Sequence, residues 1–184
     1  TLGLVAFGAI ARQTGRFARA FGMDVVAYDP FCPAEAFAEE GVARIDDLDE
    51  LLAMSDVISL HSPLTPDTRN LIDARRLALM KPDAIIVNTA RGGLIDEPAL
   101  AGALAEGRIA GAGLDTFAQE PPPADHPFWA ERRLVMTPHI GGVTTAANTR
   151  VGVEAAQGIV DLLASRPVAP ARIVNRAVLA PAVA

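Results

Sequence analysis

The stretch from Thr1 to Asp29 constrains this chain more than any other. An apolar run (Leu2, Leu4, Val5) stops at a small-residue turn, Ala6-Phe7-Gly8-Ala9-Ile10-Ala11. An amphipathic helix follows, with Ile10, Phe17, Ala18 and Phe21 on one face, and Gly22 ends it. A second apolar run (Val25, Val26, Ala27) then delivers an acid at Asp29. Strand, tight turn, helix, strand and acid form the order of a dinucleotide-binding βαβ unit. The turn must bring backbone N–H groups and a helix N-terminus to a pyrophosphate, where the helix dipole favours negative charge. A carboxylate after the second strand can then accept hydrogen bonds from ribose hydroxyls.

The fingerprint departs from G-x-G-x-x-G at its first glycine, which is Ala6 here. Gly8, where the backbone must approach phosphate, is kept, and Ala11 is an accepted variant where helix packs on strand. Small residues also occur at ordinary strand–helix turns, so this motif by itself is weak. The rest of the chain strengthens it.

Strand and helix patterns alternate throughout. After the Pro30–Pro33 turn, a short Ala/Glu-rich helix runs to Gly41, Val42–Ile45 forms a short strand, and Asp46 is expected to cap a helix carrying Leu48, Leu51 and Leu52. Val57–Leu60 is a strand ending in the proline-containing loop His61-Ser-Pro-Leu-Thr-Pro66. Asp73 opens a helix with Leu77 and Met80 facing inward, and Ala84–Asn88 is a strand ending in Thr89-Ala-Arg91-Gly-Gly. Asp96 caps a helix that Gly107 closes, and Ile109–Leu114 is a strand ending at Asp115. Leu134–Thr137 leads into Pro138-His139-Ile-Gly141-Gly142. A long helix capped near Thr144 or Thr145 carries Val151, Ala155, Ile159 and Leu162 until Pro167 stops it.

This count predicts an α/β domain: a doubly wound, mostly parallel, Rossmann-like sheet of about seven strands with helices on both faces. Residues 1–166 are read as one dinucleotide-binding domain, and 167–184 as a tail. Every polar or glycine-rich cluster falls at the carboxyl end of a strand, where ligands bind on such sheets. Gly111 and Gly113 lie within a strand and read as close packing.

Composition narrows the classes further. A net charge of −6 without any basic block argues against nucleic acid or an acidic membrane surface as partner. No apolar run nears the roughly 20 residues that span a bilayer. Cys32 is the single cysteine, which rules out an internal disulfide and points to a reducing, cytoplasmic setting.

Three strand ends carry candidate chemistry: Arg91, Glu120 and His139. Histidine is the natural proton donor or acceptor near neutral pH, and a carboxylate on its far nitrogen would hold the tautomer. Arg91 offers a planar fork suited to a substrate carboxylate. Together they suit reduction of a 2-keto acid beside a nicotinamide, with Arg91 as anchor and His139 delivering the proton. Taken singly, each has a plainer reading as a surface arginine, a solvated loop acid or a structural histidine. His61 reads as cofactor wall or a satisfied loop histidine rather than an acid–base group, His126 as surface, and no histidine or cysteine spacing suits a metal.

The stretches TLGLVAFGAIAR, FGMDVVAYDP, LHSPLTPDTRNLID, VNTARGGLIDEPAL, GAGLDTFAQEPP and TPHIGG, taken in order, resemble the NAD-binding domain of the D-isomer-specific 2-hydroxyacid dehydrogenases, of the phosphoglycerate dehydrogenase-like kind, from Thr1 to about Ser165. The resemblance implies that Arg91 binds substrate, that Glu120 and His139 form the acid–base relay, that Asp29 binds the adenosine ribose and that Asp115 contacts the nicotinamide carboxamide. The implied cofactor set is Phe7, Gly8, Ala9, Ile10, Asp29, His61, Pro63, Thr68, Thr89, Ala90, Arg91, Asp115, His139, Gly141 and Gly142. A carboxylate at Asp29 would repel a 2′-phosphate, so NAD is expected over NADP.

Members of the family also carry a substrate-capping domain built from segments on both sides of this one. The tail after Pro167 is expected to begin the return to it, making this chain a domain-sized portion of a longer enzyme. The family implies a homodimer, to which exposed-looking Phe128 and Trp129 could contribute. An alternative from another class is an NAD(H)-sensing, corepressor-like scaffold, which can retain all three residues.

Overall fold

The computed structural model describes residues 1–169 and 172–174. It divides into two compact units, Thr1–Gly141 and Gly142 onward.

In the first unit, every strand pairing is parallel. β1 (Leu2–Val5), β2 (Val25–Tyr28), β3 (Ala43–Arg44), β4 (Val57–Leu60), β5 (Ile85–Asn88), β6 (Gly111–Leu114) and β7 (Leu134–Met136) form one sheet of seven in the order β3-β2-β1-β4-β5-β6-β7. The chain works outward from β1 in one direction, then crosses to β4 and continues in the other. That reversal opens a crevice beyond the carboxyl ends of β1 and β4.

Alternation along the strands shows why helices cover both faces. Leu2 and Leu4 of β1 pack with Val25 and Ala27 of β2 in one cluster, under α1 (Ala9–Ala20) and Phe37 of α2 (Ala34–Glu40). Val5 and Val26 point the other way, into a larger cluster with Leu51 and Leu52 of α3 (Leu48–Met54), Leu77 of α4 (Ala74–Leu77), and Leu100 and Leu104 of α5 (Glu97–Ala105). Each fully buried leucine or isoleucine there contributes roughly 1.5–3 kcal/mol.

The expected face of α1 is corrected. Ile10, Phe17 and Phe21 are 73%, 60% and 88% exposed, and the buried residues are Ala11, Gly15 and Ala18. A methyl group at Gly15 would stand 3.3 Å from Leu4 Cδ1 and 3.5 Å from Val25 Cγ1. The helix lies so close to β1 and β2 that only small side chains fit beneath it.

Caps fall close to expectation. Asp47, not Asp46, caps α3 by accepting from the Asp49 N–H; Asp73 caps α4 and Asp96 caps α5 in the same way. Gly107 closes the α5 segment at φ 66°. α4 is a single turn, yet Leu77 and Met80 are both buried. Gly111 reflects close approach, since a methyl there would meet the Arg133 carbonyl at 2.9 Å. In the second unit, Thr144 caps α6 (Thr145–Leu163), which buries no residue; Val151, Ile159 and Leu162 are all exposed.

Candidate active site

Six strand ends build the site. β1 runs into Ala6, which takes a left-handed φ of 70°. Its N–H donates to the Tyr28 carbonyl at 2.8 Å, and the next N–H, of Phe7, donates to Asp29 Oδ2 at 2.9 Å. Asp29 Oδ1 accepts from the N–H groups of Phe31 and Cys32. Asp29 therefore ties the turn to the end of β2, and Oδ2, with a single donor, keeps a lone pair for a further one. The Phe7 ring is buried against Phe37, 4.6 Å between centroids, so only its backbone faces the turn. Gly8 N-caps α1, and a Cβ there would meet nothing within 4 Å. With Gly8 and Ala9 exposed at the helix N-terminus, the cradle has the open space a pyrophosphate requires.

A cleft of about 650 Å³ opens beside this turn, lined by Ile10, by His61, Ser62, Pro63 and Leu64 after β4, and by Thr89, Ala90 and Arg91 after β5. Burial lowers the His61 pKa to about 4, so the ring is neutral at pH 7. Its Nε2 pairs with Ser59 Oγ at 3.0 Å. Thr68 does not line the cleft. Its hydroxyl donates to the Pro63 carbonyl at 2.7 Å and folds the loop on itself.

Asn88, buried at the end of β5, shapes the next loop. Its Nδ2 donates to the Arg91 carbonyl at 2.8 Å, and its Oδ1 accepts from the Ala90 N–H at 3.0 Å. Arg91 is thus left projecting and exposed, its Nη1 resting on the Ala90 carbonyl. Gly92 follows because nothing larger fits: a methyl there would lie 1.9 Å from the Phe117 carbonyl carbon. That contact sets the Arg91 loop against the loop bearing Glu120.

A second recess of about 330 Å³ joins Arg91 to Glu120 and His139, with Leu64, Arg69, Gly92, Gly93, Phe117 and Ala118 completing its wall. His139 Nδ1 lies 2.8 Å from Glu120 Oε2, and Glu120 Oε1 accepts from the Phe117 N–H at 3.0 Å. The His139 contact and the Phe117 N–H hold Glu120 below the usual glutamate range, so it is ionised at neutral pH. An ionised carboxylate favours the histidine proton on Nδ1 and leaves Nε2 outside the pair. His139 itself has a φ of 54°, a conformation its surroundings must impose.

Asp115 imposes it. The carboxylate is buried at the end of β6, Oδ1 accepting from the Thr137 hydroxyl and the Ile140 N–H and Oδ2 from the Gly141 N–H. Burial pushes its pKa up, but the Thr137 hydroxyl, the two N–H groups and the nearby His139 outweigh this and leave it below the ordinary aspartate value. A methyl at Gly141 would come within 2.9 Å of Asp115 Oδ2, which explains the glycine. Gly142 opens the second unit and is exposed.

Two expectations near the site change. His126 is half-buried rather than on the surface, 3.3 Å from Glu97 Oε2, and Glu97 Oε1 accepts from the Ala118 N–H. Phe128 is buried, whereas Trp129 is 55% exposed, its Nε1 donating to the Pro123 carbonyl. Glu97, Asn88, Thr137 and Arg69 were not singled out from sequence. Of these, Asn88 carries the one local signal, a side chain able to cap the turn that follows. Among the described residues no cluster suits a metal ion, and no helix is long and apolar enough to cross a membrane.

Comparison with known proteins agrees with this architecture. Residues 1–141 match the family described as "D-isomer specific 2-hydroxyacid dehydrogenase, NAD binding domain". The chain is 47% identical over 163 residues to a D-3-phosphoglycerate dehydrogenase of Methanocaldococcus jannaschii, covering 89% of this chain and 31% of that protein. It is 49% identical over 151 residues to an (S)-sulfolactate dehydrogenase of Chromohalobacter salexigens, covering 82% and 49%. Among solved structures, D-lactate dehydrogenase with NAD+ from Lactobacillus jensenii superposes with a TM-score of 0.84 at 33% identity, covering 90% of this chain and 53% of that one. The chain thus spans between about a third and a half of the length of these relatives.

Proposed function

We propose, for a chain that belongs to the D-isomer-specific 2-hydroxyacid dehydrogenases and forms their NAD-binding domain, that the enzyme it serves interconverts D-2-hydroxy acids and 2-keto acids. The observation that carries this reading is the 2.8 Å pair of His139 Nδ1 and ionised Glu120, in one recess with Arg91.

NAD, when bound, supplies the hydride acceptor or donor. The backbone around Gly8 and the N-terminus of α1 would hold its pyrophosphate, Asp29 its ribose, and Ile10, His61, Pro63, Thr89 and Ala90 would wall the cleft. Neutral His61 adds no charge there. Asp115, with its oxygens engaged by Thr137, Ile140 and Gly141, acts chiefly by setting the His139 loop.

The remaining work falls to three side chains. Arg91 accepts a substrate carboxylate in its fork and leaves an N–H for the neighbouring carbonyl oxygen. In the reducing direction His139 Nε2 delivers a proton to that oxygen; in the oxidising direction the same nitrogen removes it from the hydroxyl. Glu120 stabilises the protonated ring and keeps Nε2 turned to the reacting atoms. The assignment also carries residues 1–166 as the cofactor domain; the 167–184 tail lies largely outside the described residues. A cytoplasmic homodimer completes it, supported by the lone Cys32 and the exposed Trp129.

The test is NADH oxidation by the native-length enzyme with glyoxylate, hydroxypyruvate, pyruvate and larger 2-keto acids. His139→Asn should lower turnover by about 10²–10⁴-fold with NADH affinity retained. NADH binding without turnover of any acid would favour a scaffold role, and loss of NADH binding in His139→Asn would remove that residue from proton transfer.

A further inference from the structure

Arg69 stands in the wall of the same recess as Arg91, Glu120 and His139, and nothing in the chemistry above uses it. Its position is built. The Arg69 N–H donates to the Thr65 carbonyl at 3.0 Å, and the next N–H, of Asn70, crosses to the Gly93 carbonyl at 2.8 Å. Asn70 adopts a left-handed φ of 51° to make that crossing. Ile72 then pairs with Ile95 in a parallel bridge, its N–H on the Leu94 carbonyl and its own carbonyl accepting from Asp96. The loop carrying Arg69 is therefore sewn to the loop that follows Arg91. Gly93 completes the arrangement, because a methyl there would lie 3.5 Å from Arg69 Nη1 and 3.0 Å from Leu64.

Despite this placement, the Arg69 side chain makes no hydrogen bond and no ion pair among the described residues. Several arginines elsewhere are ion-paired: Arg16 with Glu40, Arg75 and Arg76 with Asp49, Arg166 with Asp161. An idle guanidinium on an open surface is ordinary. Arg69 and Arg91 are both exposed, so water screens their mutual repulsion; what sets Arg69 apart is that it lines the Arg91 recess unpaired, where an entering anion would meet both guanidinium groups. The only carboxylate in that wall, Glu120, is occupied by His139 and the Phe117 N–H.

Charge counting indicates the ligand. With His139 protonated and ready to donate, Arg69, Arg91 and His139 outweigh Glu120 by two charges. A substrate with one carboxylate leaves a positive charge over, whereas a dianion balances the recess. We propose that Arg69 is a second anion grip, and that the favoured substrate is a 2-keto or 2-hydroxy acid bearing another anionic group on carbon 3: carboxylate, sulfonate or phosphate. This rests on the recess being the 2-keto acid site. Arg91 takes the carboxylate next to the reacting carbon, and Arg69 takes the distal anion. The distal group thereby fixes which face of the carbonyl is presented.

The experiment measures kcat/KM with NADH for pyruvate, oxaloacetate, sulfopyruvate and 3-phosphohydroxypyruvate in the native-length enzyme, for wild type, Arg69→Gln and Arg69→Lys. At least one dianion should exceed pyruvate in wild type, and the leading one identifies the distal group. In Arg69→Gln the dianion-to-pyruvate ratio should fall about 10- to 100-fold, the worth of a charge-assisted pair. Arg69→Lys should restore part of it, keeping the charge but losing the fork. A ratio within about threefold of wild type in Arg69→Gln overturns the proposal. So does a loss of NADH binding in that variant, which would place Arg69 on the cofactor. Absence of turnover with every acid in wild type, NADH still binding, removes instead the reading on which the proposal rests.

Discussion

Ala6 offers the sharpest test of how the backbone is built. Its φ of 70° is left-handed, and it occupies the position where the dinucleotide fingerprint carries its first glycine. An L-residue with a Cβ costs roughly 1–2 kcal/mol in that conformation. The surroundings impose it: the Ala6 N–H is fixed on Tyr28 and the Phe7 N–H on Asp29. Ala6→Gly removes the strain but loosens the unfolded chain, which offsets about 0.4–1 kcal/mol. The net expectation is a gain of roughly 0.5–1 kcal/mol, or about 1–4 °C in Tm for a chain of this size. Ala6→Val should move the other way, because a β-branched side chain tolerates the left-handed region poorly. Urea and thermal unfolding followed by circular dichroism measure both. Equal or lower stability in Ala6→Gly would refute the reasoning, for it would mean that the alanine methyl contributes packing that exceeds its strain.

Other perturbations test the rest of the site. Gly92→Ala should destabilise by about 1–3 kcal/mol or more and displace Arg91, because the new methyl meets backbone that cannot swing aside; urea midpoints and substrate KM report the two effects. Glu120→Gln should lower kcat by about 10²-fold while NADH affinity holds, since the amide can still accept from Nδ1–H but no longer balances a protonated ring. His61 has a folded pKa of about 4 against an ordinary 6.5, so its neutral form stabilises the fold above pH 6.5 and that contribution is lost as pH falls toward 4. Between about pH 7.5 and about pH 5 this amounts to about 1–2 kcal/mol, allowing for partial solvent access. His61→Gln should lose that much less over the same range in paired urea titrations.

Much of the fold was legible in the sequence because the determinants are local. Short apolar runs separated by helical patterns dictate a parallel sheet, and strand ends in such a sheet converge on one edge. His61 and Asp115 follow β4 and β6 directly, and Arg91 and His139 come three residues after β5 and β7, so their shared edge could be read before any coordinates. The face of α1 could not. Periodicity groups Ile10, Phe17 and Phe21 but says nothing of how near the helix axis lies to the strands, and Gly15 on Leu4 and Val25 brings it too near for them.

What the sequence determined by itself is the order of elements, the turn that faces a dinucleotide and the residue types at each strand end, all properties of neighbours along the chain. What only the tertiary structure decided is which of those groups are already engaged. Asp115 spends its oxygens on the His139 loop and Asp29 clasps the turn after β1, while Arg69 stands unpaired beside Arg91 because Asn70 reaches Gly93 across two loops. Hydrogen-bond partners far apart in sequence settle such questions, and no local pattern encodes them.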